Sequence, residues 1–80
     1  MDRESVLKEI TDIVKDVLGE EDIRLAEDST AKDVDGWDSL AHISILEAVQ
    51  SEYEIVFELE EIIEMETVGD IISAVVEKAR

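Results

Sequence analysis

The segment Gly36-Trp37-Asp38-Ser39-Leu40 holds the most suggestive hydroxyl in the chain. Asp38 is a good helix N-cap, which puts Ser39 at the first helical position. A helix N-terminus carries partial positive charge and free N–H groups, so a phosphodiester built on Ser39 would sit where its charge is stabilised. Taken alone, Asp-Ser-Leu is short, and a serine there is more often just a polar residue of a first turn. Other chemistry is poorly supplied. His42 is the one histidine. It falls on a buried arc and reads as a packed residue with one satisfied nitrogen rather than a base or ligand. The 23 carboxylates read as solvated charge, because a small convex bundle offers no cleft to shift their pKa values. Asp33-Val34-Asp35-Gly36-Trp37-Asp38 hints at a calcium loop, but the spacing fails. A loop starting at Asp33 puts Gly36 at position four instead of six, and Ser44 at position twelve, where a bidentate glutamate is needed. No catalytic residue and no metal site is expected.

Helices must position these residues. Val6, Leu7, Ile10, Ile13, Val14, Val17 and Leu18 form a single stripe of helical period. Asp2 or Ser5 can cap that helix, and Gly19 can end it in the left-handed conformation. Residues 19–37 lack helical periodicity. Ile23, Leu25, Val34 and Trp37 are spaced to pin this long connection to the core, and Ser29-Thr30 can start a short turn within it. The second helix runs from its Asp38 cap to about Tyr53. A helical wheel gathers Ile43, Ile45, Leu46, Val49 and Tyr53 on one arc, with His42 inside it. Leu40, Ser44, Glu47 and Ser51 fall opposite, so Leu40 is an apolar residue on the solvent face. Leu59, Ile62 and Ile63 suggest a short third helix. Thr67, with Asp70 in a capping-box variant, opens the last one, whose stripe is Val68, Ile71, Ile72, Val75 and Val76. The fold expected is all-α, a small four-helix bundle of three longer helices and one short, with a long loop between helices 1 and 2.

Eighty residues make one domain, 1–80. Seven basic and 23 acidic side chains leave a net charge of −16, which argues against nucleic acid and against anionic membrane surfaces as partners. The absence of cysteine removes disulfides, thiolate metal sites and a cysteine nucleophile. No apolar run approaches the length of about 18 residues that a membrane span needs. Met1-Asp2-Arg3-Glu4 lacks the apolar stretch of a secretory signal, so the cytoplasm is the expected location, and the chain is expected to be a monomer.

Asp38-Ser39-Leu40 at the start of the second helix, the long loop before it, and Thr67-Val68-Gly69 at the start of the last helix together resemble the acyl carrier protein family. Ser29-Thr30, Gly36, Tyr53 and Phe57 also fall where that family has similar residues, and the resemblance spans the whole chain. It implies a non-catalytic carrier with 4'-phosphopantetheine on Ser39, attached by a phosphopantetheinyl transferase from coenzyme A. It also implies acyl-activating, acyltransferase or synthase enzymes as partners. The missing cysteine then makes chemical sense, because the acyl-bearing thiol comes with the cofactor. Asp38 and Leu40 complete the attachment motif; Leu40, Ala41, Ser44, Glu47 and Ala48 form the expected docking face. Carriers of fatty-acid synthesis usually have acids where this chain has Ala41 and Ser44, and a small residue where it has Trp37. That departure points to a specialised pathway of polyketide, peptide or cell-surface acylation rather than primary fatty-acid elongation. The rival readings are an acidic protein–protein adaptor or nucleic-acid mimic, which the charge favours, and a small calcium-binding regulator, which the loop spacing weakens.

Overall fold

In the computed structural model, which describes residues 2–79, four α-helices carry the chain: α1 (Arg3–Leu18), α2 (Ser39–Tyr53), α3 (Leu59–Glu64) and α4 (Val68–Lys78). Both α2 and α4 pack against α1. α1 buries Val6, Ile10 and Val14, which recur every fourth residue and so keep to one face. Gly19 ends it at φ 69°, and its N–H donates to Lys15 O. At the other end of α1, the Asp2 side chain makes no capping bond to the backbone; its carboxylate accepts instead from Ser5 Oγ at 3.3 Å.

The long connection is ordered by contacts at both ends. Ile23, Leu25, Ala31 and Val34 are half-buried against the core, and Trp37 is buried. Thr30 and Asp33 cap a single 3₁₀ turn at Ala31–Asp33. The preceding residues are stitched to α4. Val68 N–H donates to Ser29 O at 2.9 Å, Gly69 N–H donates to Glu27 O at 2.8 Å, and Thr30 and Thr67 form an isolated bridge. Arg3 of α1 tightens the same joint. Its guanidinium donates to both Glu27 carboxylate oxygens, to Gly69 O and to Ser73 Oγ.

α2 ends in a Schellman arrangement, with Glu54 at φ 54° and Ile55 N–H donating to Gln50 O. Gln50 Oε1 also accepts from Phe57 N–H at 2.9 Å, which turns the buried Phe57 ring into the core. α3 is capped by Glu58 and Glu61, and Glu61 pairs with Lys78 of α4 at 2.9 Å.

The expected boundaries of α2 and the solvent position of Leu40, 77% exposed, are both found. One face assignment is not. Ile43 is 56% exposed, whereas Ile45, Leu46 and Val49 are buried. Apolar residues on α2 fall on more than one side, so periodicity alone does not orient it. Ile43 lies at the edge of the core arc and near the helix start, where the bundle opens.

Candidate functional site

Ser39 is exposed at the first position of a helix of 15 residues. The first turn of that helix is only partly satisfied. Asp38 Oδ1 accepts from Ala41 N–H at 2.9 Å, Asp38 O accepts from His42 N–H at 2.8 Å, and Asp38 N–H donates to Gly36 O. Ala41 stands where a capping-box glutamate would be. The N–H groups of Ser39 and Leu40 have no hydrogen-bond partner among the described residues. Two free donors at the positive end of a long helix, beside an exposed hydroxyl, suit a phosphate ester on that hydroxyl. The site therefore fits a phosphodiester group.

Trp37 sets the approach to this turn. It occupies the position before the N-cap, and His42 lies four residues past the cap, the pair of positions that form a hydrophobic staple. Here the staple carries a polar bond as well, Trp37 Nε1–H donating to His42 Nδ1 at 3.0 Å. The rings lie 6.0 Å apart at 33°. Partial burial holds the imidazole pKa below its ordinary value.

The stapled rings line a groove of about 480 Å³ that runs from Ser39 and Asp38 to Thr67 and Val68 at the start of α4. Trp37, Ile43 and Met65 give it apolar wall, while His42 and Glu66 add polar groups. This cleft corrects the expectation that so small a bundle has none. It lies between the starts of α2 and α4, with Ser29 and Ala31 of the stitched loop on its wall. The exposed Ile43 belongs to this groove, which gives its apolar side chain a place outside the core.

The other expected site residues are placed as follows. Ser44 and Glu47 are exposed on the same side of α2 as Leu40, and Ala41 and Ala48 are half-buried at its edges. Leu59 and Ile63 on α3, with Val56 just before it, add exposed apolar surface that the sequence reading left unassigned. Their helical spacing was visible, but six residues of helix set no face until α3 is seated. No cluster of metal-ligating side chains occurs among the described residues. His42 has one nitrogen satisfied, as expected, but by a ring that periodicity did not connect to it. A tryptophan at the residue before the cap and a histidine four after it were the available signal.

The family model described as "Phosphopantetheine attachment site" matches residues 8–75 of the chain. No curated protein sequence matches it. Among solved structures, the solution NMR structure of holo acyl carrier protein from Geobacter metallireducens is similar. It superimposes with a TM-score of 0.84 at 33% sequence identity, over 90% of this chain and 83% of that one. A matched stretch that takes in the whole of α2 and the groove, on the same helical bundle, places this chain in the phosphopantetheine-binding family of acyl carrier proteins, non-catalytic carriers with a 4'-phosphopantetheine prosthetic group.

Proposed function

We propose that Ser39 is the attachment point of the 4'-phosphopantetheine group and that the domain carries acyl intermediates on it as thioesters. The observation that carries this reading is the exposed Ser39 hydroxyl beside the two unpaired N–H groups of the α2 first turn. The cofactor's thiol supplies the thioester chemistry that a chain without cysteine lacks. Asp38 holds the first turn in shape by its bond to Ala41 and so presents Ser39 to a phosphopantetheinyl transferase. Leu40, Ser44 and Glu47, with the Ala41 and Ala48 edges, form the surface that partner enzymes read. An exposed leucine next to the attachment point offers burial on binding, and the surrounding acids steer basic partners. Ala41 and Ser44 leave this face less acidic, which supports a dedicated pathway of polyketide, peptide or cell-surface acylation over primary fatty-acid elongation.

Incubation with coenzyme A, magnesium and a broad-specificity phosphopantetheinyl transferase should add one phosphopantetheine by mass. Ser39→Ala should abolish the gain with the fold intact. Modification of the Ser39→Ala protein would overturn the site. The acyl species carried by the protein in its own cell tests the pathway.

A further inference from the structure

Trp37 decides which nitrogen of His42 faces outward. An indole N–H can only donate, so the Nδ1 that accepts from it carries no proton. Neutral His42 therefore holds its proton on Nε2. No buried side-chain nitrogen or oxygen among the described residues lacks a partner, and no hydrogen bond among them uses Nε2. That N–H is open, on a ring that lines the groove. His42 is also three residues past Ser39, so the two side chains are neighbours on the α2 surface, about 5–6 Å apart at Cβ. The two carboxylates that line the groove, Asp38 and Glu66, accept but cannot donate. The imidazole N–H, by contrast, can donate to a neutral carbonyl.

We infer that the Nε2–H of His42, oriented by Trp37, donates to the first amide carbonyl of the phosphopantetheine arm and seats the arm's root in the groove. The apolar wall made by Trp37, Ile43 and Met65 suits the arm's paired methyl groups, and the amide follows them. This rests on Ser39 as the attachment point. His42 is then a positioning residue. It acts on the part of the arm common to every cargo, and it sets the direction in which the thioester end leaves the domain.

The test uses the holo protein carrying a ¹³C-labelled arm, with loading at Ser39 first checked by mass. Cross-peaks from the arm's methyl groups to the Trp37 indole and Ile43 methyls are expected, with ¹⁵N shifts of His42 showing the proton on Nε2. His42→Phe keeps a ring but neither nitrogen, and should weaken the cross-peaks roughly two- to tenfold, the worth of one hydrogen bond. His42→Gln keeps a donor and an acceptor, and should restore them at least in part. Failure of the arm to load at Ser39 overturns the attachment reading itself. An arm on Ser39 without these cross-peaks, or with cross-peaks at full strength in His42→Phe, overturns the role of His42 alone.

Discussion

The starts of α2 and α4 face each other across one groove and are built in opposite ways. At α4 every first-turn donor is used. Thr67 N–H reaches Asp70, Val68 and Gly69 reach loop carbonyls, and Asp70 N–H reaches Thr67 Oγ1. At α2 the cap holds one donor through a side chain and leaves Ser39 and Leu40 free. The closed end is a joint that ties the long loop and α1 to the bundle. The open end keeps its electrostatic capacity for an anion. Cap residues alone do not separate the two roles; whether another segment docks on the turn does.

The largest expected effect bears on which side of α2 faces the groove. Ile45→Ala should cost about 2–5 kcal/mol from the cavity it leaves. Ile43→Ala should cost under about 1 kcal/mol, because its side chain already meets solvent. Chemical denaturation of both variants checks the pair, and a reversed order would mean that α2 is rotated and the open end misassigned.

A second contrast sets the joint against the open turn. A Cβ at Gly69 would lie 2.9 Å from the backbone oxygen of Glu27, which cannot swing aside as a side chain would. Gly69→Ala should therefore destabilise by about 1–3 kcal/mol. Loading at Ser39 should be unchanged in the fraction that remains folded. Ser39→Ala should leave stability within about 0.5 kcal/mol. A melting temperature unmoved by Gly69→Ala would show that the joint is looser than its geometry.

The smallest effect is a separation in pH. Burial lowers the His42 pKa in the folded protein, so the unfolded chain binds the proton more readily. The contribution at the open end is complete above the ordinary value of 6.5 and fades as pH falls below it. At the closed end, the N–H groups of Glu66 and then Thr67 hold the Asp70 carboxyl below its ordinary value of 3.8. That contribution is present above 3.8 and disappears only as pH falls through the folded value. Melting curves of the protein minus those of His42→Gln should show the first window, and those of Asp70→Asn the second. Taking differences cancels the relief of self-repulsion that acid brings to a chain of charge −16. Coincident windows would remove the distinction between the ends.

Where local chemistry sets the outcome, the sequence by itself was enough. α1 and α4 were legible as unbroken stripes, Gly19 as a left-handed stop, Thr67 with Asp70 as a capping box, and Asp38 as the cap that starts α2 at Ser39. Each depends on residues within a turn or two of one another. The exposed Leu40 followed from the same local geometry. Only the tertiary structure could decide the facing of α2 near its start, because Leu40 and Ile43 spread apolar surface beyond one arc and packing against α1 sets the rotation. It alone made the groove, which exists because the loop hydrogen-bonds to α4, a pairing between residues some forty positions apart in the sequence. The bond from Trp37 to His42, by contrast, is a local staple across the cap, open to reading from the spacing of the two residues but not from helical periodicity. Contacts over a few residues are settled by propensity and capping. Those made across the bundle depend on which surfaces are buried together, and that is a property of the whole chain.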